Sequence, residues 1–491
     1  MRKLIFADYD LPTPMTRLFI ALLVLKFGFT AAQPASRYSS LPFVDTIPAS
    51  VYQSLQNKNE ADKARIQAPG KIGDFMKALY DQRFEYVVRS FNHDYFMIND
   101  RLTAFVQKVH DNIYDANPEL ARETTVYTYR SASPNAMTFG DGTVCVMLGL
   151  IARIETEDAL AFVLCHELAH HHARHAAKRI ERIANLNYDR TLKKQIGEIQ
   201  TSRYNKYSKL KALFNSLDFS INRHSREEEQ EADSIALTYF LKTNYNKFAP
   251  LHCMQILNSV DTSLYRANID FRKFFDFKEF PFKDSWDTYK RSDLWNDMPQ
   301  PVPDTSRTHP ETEKRFAALQ RQLGIYNFPP DQMQTGKTIA ELSQFAGSEI
   351  INTQYHFKQY GKALFNALIA AESSPENVYA HAMIVKCLYQ LYRAQKAHAL
   401  SKSLELPGPH FDENYNRFLS FIHKLRLYEL ASLAYQYALT RPESFYTDEE
   451  FIHALWMVSH FEFSKISPEK VRDDYALLFP RGKYLKDLST H

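Results

Sequence analysis

Three residues in one short run have the types and spacing for metal chemistry: His166, Glu167 and His170, an H-E-x-x-H pattern inside Ala161 to His170. Residues four apart share a face of an α-helix, so both imidazoles can address one ion. Glu167 projects to one side, where it can serve as general base on a water without binding the metal itself. Two histidine ligands, a carboxylate base and an open position for water make a hydrolytic zinc site. The bland alternative is a surface helix whose histidines align by chance, and the surroundings argue against it. Leu160, Val163, Leu164 and Leu168 recur as they do on a buried helix. Thr156 is placed to cap that helix, with Glu157 and Asp158 in its first turn, where acidic groups suit the helix dipole.

Such a site needs a third protein ligand, and a carboxylate on a second helix is one standard solution. The acidic run from Glu227 to Asp233 offers several. Glu229 and Asp233 are four apart and are followed by Ala236 and Leu237 on an apolar stripe, so Glu229 can bind the metal while Asp233 orients a ligand imidazole. A solvated acidic helix face is the ordinary meaning of such a run; His166 and His170 upstream favour the ligand reading. One Zn2+ per chain is expected. His309 lies in a proline-rich loop, Pro299 to Pro310, that can form neither helix nor inner strand. Such a loop can lay an imidazole over a site and withdraw it, or the residue simply caps the helix that starts at Glu311.

The elements that must hold these residues are mostly helices. Apolar positions over 71–116 (Phe75, Leu79, Leu102, Phe105, Val106, Val109) predict two or three of them, and Thr124 to Tyr129 alternates as a strand. Ser133 to Met147 reads as a hairpin turning at Gly140 to Gly142, with a strand over Thr143–Met147 just before the metal helix. An edge strand there can pair with an extended substrate, or the hairpin is purely structural; Asn135 and Ala136, at its start, are the candidate substrate-binding positions. The metal helix is predicted to continue past His175 to about Ile183, with His171, His172 and His175 facing other directions than the ligand pair, most of them behind the ligands or exposed. Residues 188–222 read as a helical insertion or flap. Residues 33–70, with Pro34, Pro42, Pro48 and Pro69, read as a polar linker, and the aromatic run Phe271 to Phe282 reads as core packing before groove lining.

The 491 residues carry 60 basic and 57 acidic side chains, a net +3 that points neither to nucleic acid nor to a polybasic membrane surface. Few glycines (13) against 29 tyrosines and 35 phenylalanines favour helices packed through aromatics. Cys145, Cys165, Cys253 and Cys387 show no C-x-x-C spacing, so they are buried thiols or, in an oxidising compartment, disulfides. Arg17, the apolar stretch Leu18 to Leu25, and Thr30 and Ala32 have the form of a signal peptide over 1–32, cut after Ala32; counting from Met15 gives a more usual length. The stretch is short for a membrane span, although an uncleaved anchor is the rival reading. No later stretch reaches the ~18 apolar residues of a transmembrane helix, so the exported chain is expected to be soluble.

His166 to His170 is one of four features that together resemble a known family. The others are Asn135-Ala136 before the turn at Gly140, Glu229 with Asp233, and Thr308 to Pro310 ahead of Arg315. They resemble the HtpX-like and BepA-like zinc metallopeptidases, a group that also holds the CAAX prenyl endopeptidases and the mitochondrial inner-membrane protease Oma. The similarity covers about residues 71–325. It implies an α+β, mainly α, gluzincin domain with a small sheet, zinc held by His166, His170 and Glu229, and Glu167 as base. His309 would be a fourth ligand in a resting state or a transition-state donor. The membrane-embedded branches carry several spanning helices that this chain lacks, so it matches the soluble, exported branch, for which a periplasmic location is expected.

Beyond a linker at 326–345 the pattern is wholly helical. Ala363, Ala397 and Ala431 are spaced by 34 residues, the tetratricopeptide period, with Tyr360, Ala370 and Pro375 at supporting positions in the first unit and Tyr428, Tyr435 and Ala438 in the last. Three such units over 346–445 with capping helices over 446–491 predict an α-solenoid, and this resembles the BepA-like order of peptidase first and repeats last. The sequence thus predicts an exported zinc endopeptidase acting on polypeptide, with a further protein partner for the repeats. Two rivals stand beside it. One is a chaperone or adaptor for outer-membrane protein assembly in which the repeats do the work; the other is an autoinhibited enzyme gated by the His309 loop.

Overall fold

Proline sets where the first helices begin. The computed structural model describes residues 38–43, 46–189, 194, 226–260, 265–292, 295, 312–325, 327 and 336–489. The signal segment, most of the 188–222 insertion and His309 lie outside the described residues. Helix α1 (Ala49–Ala64) starts after Pro48 and α2 (Gly70–Asn92) after Pro69, so prolines that suggested a loop over 33–70 instead mark helix entries. α1 has few buried residues. It is held on α2 by polar pairs, Asn59 and Lys63 on Asp81 (2.8 and 2.9 Å) and Arg83 on Asp62 (2.7 Å), which apolar periodicity does not report.

A four-stranded sheet follows, with β1 (Phe96–Met97) ahead of α3 (Arg101–Ala116), then β2 (Thr125–Tyr129), β3 (Ala136–Thr138) and β4 (Thr143–Met147). Its order is β1-β2-β4-β3, with β2 and β4 parallel and both outer pairs antiparallel. β3 and β4 form the expected hairpin. Its turn places Gly140 and Gly142 at φ +83° and +86°, and a Cβ on Gly142 would lie 2.3 Å from the Glu123 carbonyl oxygen, which excludes other residues. The expected substrate-pairing edge needs correcting. All five residues of β4 are buried, the mark of an interior strand, and the edge beside it is β3.

Helix α4 (Glu157–His172) carries the H-E-x-x-H pattern and packs against β3. It is buried on every side from Ala159 to Ala169, and the Thr156 hydroxyl accepts from Ala159 N (3.1 Å) at its start. It does not run on past His175 as expected. Arg174 takes a left-handed conformation (φ 57°, ψ 37°) and α5 (His175–Tyr188) sets off in a new direction. Residues 226–240 form α6, followed by α7 (Ala249–Val260), α8 (Thr312–Leu323) and α9 (Lys337–His356), so the expected linker at 326–345 is helical from Lys337. α7 packs on both α4 and α8.

Contacts divide the chain into two compact units, one within 41–264 and 301–350, the other within 1–40, 265–300 and 351–491. The second is helical: α10 (Tyr360–Ser373), α11 (Val378–Lys396), α12 (Glu413–Lys424), α13 (Leu427–Leu439), α14 (Glu449–Ser459) and α15 (Pro468–Leu478). α11 is its hub, packed on α10, α13 and α14. The aromatic run lies in this unit's core, Phe271 stacked on Phe421 with centroids 4.4 Å apart. Ala363 and Ala431, two of the residues spaced by 34, are buried in α10 and α13. Ala397 is instead the exposed cap of α11, a helix with no Gly or Pro to stop it earlier, so the middle of the 34-residue period does not fall inside a helix. All four cysteines are buried free thiols. Among the described residues no helix is long and apolar enough to cross a membrane.

Candidate metal and catalytic site

One turn of α4 brings the two imidazoles together at nearly a right angle, with His166 Nε2 and His170 Nε2 3.0 Å apart. α6 closes the third side. Of its glutamates, Glu228 turns to Arg182 (2.6 Å) and Glu231 to His175 (3.1 Å), while Glu229 presents its carboxylate to the pair, 3.4 Å from each Nε2. This resolves which of the competing acidic residues faces the histidines. The three ligand atoms lie within 4.8 Å of one another. Ligands of a tetrahedral ion with bonds of about 2.0 Å are separated by about 3.3 Å, so the set fits zinc with one corner left over. Neutral imidazole nitrogens and a carboxylate are all electron-pair donors, and three of them converging on one point suit a cation.

Behind the ligands lies a buried ionic layer. His166 Nδ1 is 3.0 Å from Asp233 Oδ1, the contact that fixes a ligand ring and its tautomer. Arg315 from α8 forks onto Asp233 through Nε and Nη2, both at 2.7 Å, and its Nη1 reaches Glu229 Oε2 at 3.0 Å. Burial alone would raise the Asp233 carboxyl, but the Arg315 guanidinium and then His166 bring it down to about 2. Burial likewise opposes charge on His166, yet Asp233 and Glu229 outweigh it and hold the ring up at about 9. His170 is pushed down by burial and by positive charge on His166. Two carboxylates therefore favour positive charge at the point where the imidazoles converge.

Glu167 is 2% exposed. Its charge acts on His170 and, secondary to burial, raises the thiol of Cys145 on β4. Ala136 opens edge strand β3 and Asn135 immediately precedes it, both buried, with Met147 N donating to the Asn135 carbonyl oxygen (3.0 Å). Of the residues singled out in sequence, His166, Glu167, His170, Glu229 and Asp233 come together, Asn135 and Ala136 lie at the start of the neighbouring strand, and His309 is outside the described residues. Sequence reasoning missed the role of Arg315, 82 positions from its partner, and could not single out His175 from the histidines expected behind the ligands or exposed, since an unbroken helix would turn it away from His170.

Residues 99–323 match the model of peptidase family M48. The match covers less than half of the chain and makes that segment similar to M48 metallopeptidase domains, in support of metalloendopeptidase chemistry. The segment contains both histidines, Glu167, Glu229, Asp233 and Arg315, and it ends before the C-terminal helices. The mitochondrial metalloendopeptidase OMA1 of Schizosaccharomyces pombe (strain 972 / ATCC 24843) is 29% identical over 107 residues, which is 22% of this chain and 32% of that protein. The chain thus matches about a third of that relative's length.

Proposed function

We propose that this protein is an exported zinc endopeptidase that hydrolyses peptide bonds in unfolded or misassembled envelope proteins, with its C-terminal helices recruiting substrate or a protein partner. The observation that carries the hydrolytic part is the convergence of His166, His170 and Glu229 on one point. These three would hold the metal. When bound, zinc supplies the Lewis acidity that makes water nucleophilic near neutral pH and polarises a carbonyl. Glu167 takes the proton of the attacking water and returns it to the leaving amine. Asp233, braced by Arg315, keeps the His166 proton on Nδ1 so that the Nε2 lone pair faces the ion. The outer side of β3, beginning at Asn135 and Ala136, offers main-chain groups to an extended polypeptide. His309 is proposed as a resting-state ligand or a transition-state donor.

The M48 match and the metalloendopeptidase relative support the peptidase reading. Arg17, the Leu18–Leu25 stretch and Ala32 support export, for which a periplasmic site is proposed. Ala363 and Ala431, each buried near the start of its helix, support a repeat surface of the tetratricopeptide kind, and the likeness to BepA-like enzymes rests on that order of parts. Glu167→Gln is expected to keep zinc and to lose casein cleavage by about 10²- to 10⁴-fold; cleavage at the wild-type rate would remove Glu167 from the base role. The separate core of the C-terminal unit favours, as a second reading, a chaperone or adaptor in which cleavage is minor. The same variant discriminates: it should still keep unfolded substrate from aggregating if that reading holds.

A further inference from the structure

The two histidines are held by different devices. His166 presents its Nδ1 to a carboxylate, but His170 Nδ1 faces a second imidazole, 2.8 Å from His175 Nδ1. His175 Nε2 in turn lies 3.1 Å from Glu231 Oε2. Two ring nitrogens facing each other share one proton, so one donates and the other accepts. A metal-binding His170 keeps its Nε2 lone pair for the ion and carries its proton on Nδ1. His175 Nδ1 is then the acceptor, and its own proton sits on Nε2, aimed at the Glu231 carboxylate. Only this assignment satisfies all three groups at once.

The spacing does not announce the pair. On an unbroken helix residue 175 would be rotated by about 140° from residue 170. The left-handed turn at Arg174 brings it back, so that the two rings meet with centroids 4.9 Å apart at 75°. A non-glycine residue in that conformation costs roughly 1 kcal/mol, a strain of the kind found at functional sites. His175 is 4% exposed. Glu231 is two residues beyond Glu229 on α6, and Lys178, one turn along α5, is 3.7 Å from the same carboxylate. α5 is thus tied to the helix that supplies the third ligand.

We propose that His175 and Glu231 are positioning residues that fix the tautomer and ring angle of His170 and thereby set the affinity of the site for zinc. This rests on the metal-site reading above. The test is zinc affinity of the full chain, measured by competition with a chromophoric chelator, for His175→Asn, His175→Leu and His166→Ala beside wild type, with circular dichroism and thermal melts confirming that each folds. The Asn side-chain oxygen falls where His175 Nδ1 lies and accepts the same proton; Leu fills the space without an acceptor. His175→Leu should weaken zinc by about 10- to 100-fold, the usual cost of losing such a partner, and His175→Asn should stay close to wild type. Equal affinities in both, or equal losses in both, would overturn the proposal. Glu231→Ala should weaken zinc in the same direction while Lys178→Ala does not; an unchanged Glu231→Ala removes Glu231 from the pair. Wild-type affinity in His166→Ala would instead sink the metal site itself.

Discussion

Arg315 serves two carboxylates at once, and both are buried with it. A buried charge left without its partner is costly because neither water nor protein compensates it. Arg315→Met should therefore lower stability by about 3–5 kcal/mol, read as a fall in the urea midpoint, and Arg315→Lys should recover little, since an ammonium cannot make the two-pronged contact. A midpoint unchanged in Arg315→Met would mean that Asp233 and Glu229 are neutralised some other way. At this scale much was legible. His166 with His170, and Glu229 with Asp233, are each four apart, and helical geometry alone aligns them. Arg315 and His175 were not, because one is brought in by tertiary packing and the other by a break in the helix.

Among the elements, α4 and the β3–β4 hairpin could be read from Thr156, the apolar run and the turn glycines, all local signals. α1 could not, since only a short apolar patch around Leu55 faces the core and polar pairs supply much of the rest of its contact. Nor could the interior place of β4, since parallel pairing with β2 joins distant segments. α11 carries a buried histidine that makes stability depend on pH. His381 Nε2 donates to the Pro375 carbonyl oxygen (3.0 Å) while Nδ1 accepts from the Tyr437 hydroxyl (2.6 Å), which is the neutral ring. Burial, aided by Arg441, lowers its pKa from 6.5 to about 4. The unfolded chain takes up this proton below about 6.5 and the folded chain only near 4, so stability is full above pH 7 and declines as pH falls between those values. The loss is at most about 3 kcal/mol for this ring. Urea unfolding at pH 7.5 and pH 4.5 should show it, and His381→Gln should flatten the slope; an equal slope in that variant would contradict the assignment.

At the scale of the whole molecule, linear order misleads. Residues 265–292 follow the metal-site helices in sequence, yet Phe271, Phe275 and Phe282 stack on Phe421 and Phe275 meets Tyr437 in the C-terminal unit. Conversely Glu349 on α9, well past the matched M48 segment, is buried against Arg130 at 2.9 Å. A chain ending near residue 330 would strip those aromatics of their partners and deprive buried Arg130 of the Glu349 carboxylate. It should aggregate and bind a hydrophobic dye, measured by sedimentation and fluorescence; a monodisperse, cooperatively melting product would show that the first unit needs neither. Sequence patterns marked both parts of the chain but could not show this exchange, because such contacts leave no local period.

The account depends on His166, His170 and Glu229 closing on one divalent ion. Metal analysis of the purified full chain beside His166→Ala tests this most directly. One zinc per wild-type chain and close to none in the variant is the expected result; the same zinc content in both, or none in a folded wild type supplied with zinc, would contradict it.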